Sequence, residues 1–407
     1  MITNNKKLSL IVIIIFSGLL LLGGEKKDEN TKLSGYIDVD GGKLYYDITG
    51  NGEPIIFLHN GMIHSVVWDG QIGELSKQYK TICYNRRGYG KSPQTESEYL
   101  DVEDLNRLLE ELEIKRANLI GMSAGARISI DFTIQYPEKV SSLILVGPVV
   151  SGFSFTRHFF LRGGHTTIDI LNDPKALLNY MLTEDPYSIY SKNEEARLKA
   201  IEVLKENPQN LDRQRFRLNR DLNLNSISKL NDIKVPTLII SGEFDIPDVH
   251  AHSGAINAAI PNSRRVVVND AAHLVPFEKP PIFNEYVIGF YKNTKLISMI
   301  EKEGVESAVE FYMEKINENP DEKYFTEASV NELGYKYLYE GRINESIELF
   351  KLNVAGYPKS SNVYDSLGEA YMGKGEKVLA IKNYEKSLEL NPENRNAVIK
   401  LEELRKE

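Results

Sequence analysis

Ala117-Asn118-Leu119-Ile120-Gly121-Met122-Ser123-Ala124-Gly125-Ala126-Arg127-Ile128 is an apolar run that meets two glycines and then takes on helical spacing. The pattern predicts a strand over Ala117–Ile120, a sharp turn centred on Ser123 and a helix from Ala124 to Tyr136. So tight a turn brings the residues two before and two after the serine against neighbouring backbone, which leaves no room for side chains at Gly121 and Gly125. Ser123 is thereby held above the carboxyl edge of a sheet. The five-residue pattern recurs by chance in a chain with 29 glycines, and its place between strand and helix gives it weight.

A neutral serine hydroxyl is a weak nucleophile and needs a base within hydrogen-bond reach. Seven histidines compete. His273 lies in Asn269-Asp270-Ala271-Ala272-His273-Leu274-Val275-Pro276-Phe277-Glu278, just after the last strand-like run, where a loop can lower the imidazole over the serine. His59 ends an earlier strand and reads as structural, while His64, His158, His165, His250 and His252 carry no motif and read as solvated or cap positions. No two of them have the spacing or the cysteine partner of a zinc site, so no metal is expected. The imidazole needs an acid to orient it and to stabilise its charged form. Gly242-Glu243-Phe244-Asp245-Ile246-Pro247-Asp248 follows an apolar strand and offers Asp245, with Asp248 as the alternative and Glu243 third. Leu58-His59-Asn60-Gly61-Met62 ends the third strand, so the backbone amides of Gly61 and Ala124 are the candidate donors to an oxyanion.

Around these motifs, short β-branched runs alternate with longer amphipathic ones. That is the pattern of an α/β fold with a mostly parallel, doubly wound sheet. Strands are expected at Tyr36–Val39, Lys43–Ile48, Pro54–Leu58, Lys80–Tyr84, Ala117–Ile120, Ser142–Val146, Thr237–Ile240 and Arg265–Val268. Helices are expected at Val102–Leu112, Ala124–Tyr136, Ala251–Ala259 and Pro281–Tyr291. The alternation stops after Val150 and resumes at Val235, which reads as a helical cap inserted over 151–232. Within it, residues 193–207 read as a solvated helix, and Phe153, Phe155, Phe159 and Phe160 as lid packing, the alternative being an apolar acyl pocket or a membrane contact.

With Asn85-Arg86-Arg87-Gly88-Tyr89-Gly90-Lys91-Ser92 after the fourth strand, these motifs make the stretch from about Gly35 to Tyr291 resemble the α/β-hydrolase superfamily, in the branch with an inserted helical cap. The resemblance implies a serine hydrolase working through an acyl-enzyme, without a cofactor, on a small or medium ester-like substrate. Carbon–carbon bond hydrolysis, aminopeptidase action and acyl transfer use the same parts. A non-catalytic interaction protein is the reading from a different class, and all three triad candidates being present speaks against it. Two positions depart from the family: Asn60 stands where glycine follows the histidine, and Asn85 where the turn carries aspartate.

Beyond Asn293 the sequence becomes helical and repetitive, and residues 294–407 form a separate unit from the hydrolase-like 32–293. Leu333-Gly334 and Leu367-Gly368, Tyr337 and Tyr371, Gly341 and Gly375, Phe350 and Tyr384, and Pro358 and Pro392 all recur at 34 residues. These positions resemble the tetratricopeptide repeat (TPR), with Ser346 and Ala380 as the small crossing residues. A weaker unit around Gly304, Ala308, Tyr312 and Pro320 and a capping helix from Arg395 to Lys406 would complete it. Such repeats imply a protein partner or self-association.

Residues 1–31 complete the plan, with Lys6-Lys7, an apolar run from Leu8 to Leu22 and a polar tether, the order of an export signal or N-terminal anchor. The fifteen residues of this run, at about 1.5 Å each, fall short of a ~30 Å hydrocarbon core. The chain is therefore expected outside the cytoplasm or held at a membrane by this segment. Gly24 occupies the position where a lipoprotein leader would carry its cysteine. The single cysteine, Cys83, lies in an apolar run and reads as buried and inert. A net charge of −9, with no basic block past the first residues, makes nucleic acid an unsuitable partner.

Overall fold

The computed structural model describes residues 32–161, 176, 180, 185, 187–189, 192–211, 218–220 and 225–406. The segment read as an export signal lies outside them, as do Gly163, Gly164, His165 and the side chain of Phe160. Among the described residues no helix is long and apolar enough to cross a membrane.

All eight expected strands form, one to three residues longer in all: β1 Leu33–Val39, β2 Gly42–Thr49, β3 Glu53–Leu58, β4 Tyr79–Tyr84, β5 Ala117–Met122, β6 Val140–Val146, β7 Thr237–Gly242 and β8 Ser263–Val268. They make one sheet in the order β1-β2-β4-β3-β5-β6-β7-β8. The first two strands pair antiparallel, β2 meets β4 antiparallel, and every pair from β4 to β8 is parallel. Alternate residues go to opposite faces. Ile55 and Phe57 join a cluster with Ile120, Ile144 and Ile240 on one face, while Ile56 and Leu58 join Leu119, Leu145 and Ile239 on the other. With both faces covered, the central strands read as unbroken apolar runs instead of alternating ones.

Helices α1 (Asp69–Leu75), α2 (Asp101–Glu111) and α3 (Ala124–Gln135) follow β3, β4 and β5. Helix α4 (Arg157–Leu161) opens the cap and α5 (Glu194–Glu206) lies within it. The charge-rich α5 is not wholly solvated, because Ala196, Ala200, Val203 and Leu204 form a stripe buried in the same cluster as Trp68 and Phe277. Each large apolar side chain sealed there adds roughly 1.5–3 kcal/mol. The cap enters at Ser151 and returns through Ser226, and both hydroxyls donate to the buried Asp131 carboxylate on α3. Phe155 stacks on Phe159 at 4.0 Å between ring centres, and Phe153 and Phe155 both pack against buried His252.

After α6 (Pro247–Ala259) and the short α7 (Val275–Glu278), α8 runs unbroken from Pro280 to Glu303. The boundary expected at Asn293 falls inside it. Phe283, Val287 and Tyr291 pack against the sheet, whereas Leu296 and Ile300 belong to the core of the C-terminal helices. Asn293 itself is buried at the junction, where its amide donates to Thr326 and Ser329 and its oxygen accepts the Thr326 N–H. No proline follows Pro281 in this stretch and no glycine lies between the buried mid-helix Gly289 and Gly304, so nothing stops the helix past Asn293 sooner.

The remaining helices are α9 (Val305–Glu318), α10 (Glu327–Tyr339), α11 (Ile343–Gly356), α12 (Ser361–Gly373), α13 (Lys377–Leu390) and α14 (Arg395–Lys406). Ser346 and Ala380 are fully buried, as crossing positions should be. Gly334 and Gly368 lie under the rings of Phe350 and Tyr384, so a Cβ at Gly334 would come within 2.5 Å of its ring. The 34-residue repeat is thus an inter-helix contact made twice.

Candidate active site

Ser123 sits between β5 and α3 with φ +53° and ψ −111°. A side chain seldom adopts this backbone, and such strain persists only where the surroundings enforce it. Here the fit of two glycines enforces it. A Cβ at Gly121 would lie 2.5 Å from the Gly125 carbonyl oxygen, and one at Gly125 would lie 2.1 Å from that of Leu58. The Ser123 N–H donates to Val146 at 2.8 Å, which fixes the turn to the end of β6.

Gly147, the next residue on, carries the contact across to the imidazole. Its φ is +49°, and a Cβ there would meet the His273 ring at 2.9 Å and Asp245 Oδ2 at 3.1 Å. His273 Nδ1 donates to Asp245 Oδ1 at 2.9 Å. That oxygen also accepts the Ile246 N–H at 2.7 Å, and the Asp245 side chain is wholly buried, whereas His273 is 13% exposed. The carboxylate therefore fixes the ring so that Nδ1 carries the proton and Nε2 is the basic nitrogen. From the cap, the Tyr187 carbonyl accepts the His273 N–H.

The loops that carry acid and base are joined along their length. The amides of Glu243 and Phe244 donate to Val268 and Ala271, and the missing side chain of Gly242 leaves room for the Ala272 carbonyl at 2.1 Å from where a Cβ would stand. Behind them the buried Glu278 Oε1 accepts the N–H groups of Ala272 and Leu274, one on each side of His273. A single carboxylate oxygen thus clamps the histidine loop. Glu278→Ala orphans two buried amides and is expected to cost roughly 2–4 kcal/mol and to lower kcat. Glu278→Gln keeps an oxygen in place and should retain most of both, and parallel denaturation and turnover measurements check the contrast.

The oxyanion loop is held as tightly. Asn60 Oδ1 accepts the N–H groups of Met62 and Ile63, and Tyr89 donates its hydroxyl proton to the Gly61 carbonyl. Among the described residues no acceptor takes the amide of Gly61 or of Ala124, and both amides stand at the ends of the elements that flank Ser123. Asn60, one of the two departures from the family, therefore works as the turn's own cap and occupies Met62's amide. Asn85, the other, accepts the Ser65 N–H and belongs to a structural turn.

The other candidates separate from this centre. Asp248, the alternative acid, accepts the N–H and hydroxyl of Thr156 in the first turn of α6, so it is engaged with the cap entry instead of the imidazole. Glu243 caps the Asp270 amide. His59 is fully buried, and its Nε2 accepts the Arg86 N–H, as befits a structural residue. Burial and the nearby Lys91 ammonium pull His64 down to about 4, so it stays neutral near pH 7 beside Asn210. His158 pairs with Tyr187 and His250 accepts from Arg265. Burial pushes the Cys83 thiol well above its ordinary range, which leaves it inert. Among the described residues no group of three acidic, histidine or cysteine side chains could hold a metal ion.

Residues 53–280 match the profile of the alpha/beta hydrolase fold, over half of the chain. The chain belongs to the alpha/beta hydrolase fold family. Residues 361–394 match the tetratricopeptide repeat, so this hydrolase carries TPR helices at its C-terminal side. The hydrolase is similar to a 2-hydroxy-6-oxo-6-phenylhexa-2,4-dienoate hydrolase of Comamonas testosteroni, at 26% identity over 61% of this chain and 91% of the relative. It is also similar to a Bacillus subtilis (strain 168) protein named as an uncharacterized carboxylesterase, nap, at 24% identity over 63% and 85%. Among solved structures, Est816, described as an N-acyl homoserine lactone degrading enzyme, superposes with a TM-score of 0.52 at 26% identity, covering 63% of this chain and 100% of that one.

Gly147, Gly242 and Glu278 carry the site without having been singled out in the sequence. For the two glycines a signal was present, since each stands where an apolar strand ends and a loop begins.

Proposed function

We propose that this hydrolase cleaves carboxylic esters of small or medium acyl chains through an acyl-enzyme on Ser123, with His273 as base, Asp245 as orienting acid and the Gly61 and Ala124 amides as oxyanion hole. The observation that carries the reading is the meeting at Gly147, where the Asp245–His273 pair abuts the strand end that anchors the strained Ser123 turn. His273 takes the Ser123 proton as Oγ attacks the ester carbonyl carbon, and the two amides receive the negative oxygen. The imidazolium, stabilised by Asp245, then protonates the departing alcohol. Water, deprotonated by the same imidazole, releases the acid and restores the serine.

The relatives' names support hydrolysis of esters and related acyl compounds. Carbon–carbon bond hydrolysis, aminopeptidase action and acyl transfer are distinguished by assaying diketone, aminoacyl and alcohol-acceptor substrates beside esters. The TPR helices support a protein partner or self-association as their role. The Lys6-Lys7, apolar, polar order of residues 1–31 supports export, with the chain retained by that segment or released beyond the cytoplasm. A fluorophosphonate probe tests the chemistry directly: wild type should be labelled on Ser123 with loss of p-nitrophenyl ester turnover. Folded protein that neither labels nor turns over esters would leave the chain an interaction protein.

A further inference from the structure

Two donors converge on one carbonyl beside the active site. His59 Nδ1 lies 2.8 Å from the Asn60 oxygen, and because His59 Nε2 accepts the Arg86 N–H at 3.0 Å, Nδ1 carries the ring proton and donates it. Arg86 Nη2 donates to the same oxygen at 2.9 Å. This carbonyl belongs to the Asn60–Gly61 peptide, whose N–H meets no acceptor among the described residues, whereas those of Met62 and Ile63 are taken by Asn60 Oδ1. In a trans peptide the C=O and N–H point in opposite directions. Bonds that fix the oxygen therefore aim the Gly61 hydrogen, and a cationic donor on the oxygen makes that hydrogen a stronger donor.

Arg86 is built for the task. It is 5% exposed, its Nη1 lies 3.4 Å from the buried Asp101 carboxylate, and its guanidinium sits 4.8 Å from the centre of the Tyr89 ring, the same tyrosine that holds the Gly61 carbonyl. Guanidinium stays charged at every working pH. The neighbouring Arg87, by contrast, is bound in a fork to Asp104. Resting on the serine-hydrolase reading above, we infer that Arg86 is a positioning residue for the oxyanion hole, orienting and polarising the Asn60–Gly61 peptide so that the Gly61 N–H stabilises the oxyanion.

The effect belongs to the transition state, so it should be read in kcat and not in KM. Arg86→Met would strand the buried Asp101 charge, so it is made together with Asp101→Asn and compared with Asp101→Asn alone, in the full chain. Loss of one oxyanion donor costs about 10²–10³-fold. Weakening without removal should lower kcat for p-nitrophenyl acetate by roughly 10–100-fold, with KM within about threefold. A trifluoromethyl ketone, which places an oxyanion in the hole after attack by Ser123, should lose affinity by the same factor as kcat/KM. Arg86→Lys, keeping a cationic donor, should recover at least tenfold of the loss. Unchanged kcat in folded protein, a loss confined to KM, unaltered ketone affinity, or Lys as defective as Met would each overturn the role. If wild type labels with fluorophosphonate and the Arg86 series is flat, the positioning role falls alone. If wild type does not label, the serine mechanism falls and takes this role with it.

Discussion

Ser123→Ala is expected to lower turnover of a p-nitrophenyl ester by roughly 10³-fold or more while leaving the fold intact. The side chain supports nothing else: among the described residues the Ser123 hydroxyl makes no hydrogen bond, and the turn is held by backbone and by the glycines on either side. Alanine occupies the same φ of +53° at the same cost, so denaturation of the variant should match wild type. His273→Ala should lose a comparable factor, and the double variant little more than either, since a nucleophile without its base and a base without its nucleophile fail at the same step. Wild-type activity should fade on acidification as the imidazole takes up a proton and ceases to be a base. Folded Ser123→Ala that turns over esters at the wild-type rate would move the chemistry elsewhere.

How far the sequence reveals the site depends on how far apart in the chain the partners lie. The elbow is local: five residues, a strand before and a helix after, so Gly121, Ser123 and Gly125 can be read together. Asp245 and His273 are legible because each directly follows a strand, and strand order places the two loops side by side. The choice between Asp245 and Asp248 needs the third dimension, because what separates them is Thr156, 92 residues before Asp248. Gly147 touching His273, and Arg86 touching the Asn60 carbonyl, are likewise contacts of fold and not of spacing. The burial of α5 is different. Ala196, Ala200, Val203 and Leu204 follow the helical repeat of four and three, and surrounding Glu and Lys residues conceal a stripe that was present. The extension of α8 past Asn293 was signalled in the same way by the absence of a stop before Gly304. There the change in composition is genuine, but one helix serves two cores, and a change of texture does not require a break in the backbone.

Gly125→Ala should do the greater damage of the two single methyl additions possible at the glycines of the elbow. Its Cβ would stand 2.1 Å from the Leu58 carbonyl oxygen, 2.6 Å from the carbonyl carbon and 2.8 Å from the His59 oxygen. All three are backbone atoms at the end of a central strand, so no rotamer change can relieve the overlap. Either α3 must withdraw from β3 or the end of β3 must bend, and both are packed in the core on the Leu58 face of the sheet. Overpacking of this kind costs typically 1–3 kcal/mol, and rigid surroundings place this position at or above the upper limit, about 3 kcal/mol. For a domain of this size that corresponds to a fall in Tm of roughly 6–12 °C. The same displacement separates Ala124, on α3, from Gly61, just beyond β3, and these are the two amides proposed to meet one oxygen. Misplacement by about an ångström costs on the order of 10²-fold, so kcat should fall by that much even in the fraction that folds. Gly73→Ala is the matched control, because a Cβ there meets nothing within 4 Å and the residue lies in a helix, where alanine is favoured by roughly 0.5–1 kcal/mol. Thermal denaturation and ester turnover of the two variants should therefore move in opposite directions for stability, with activity lost only in Gly125→Ala. Equal stability of both would mean that the elbow does not press on β3 as tightly as its geometry requires.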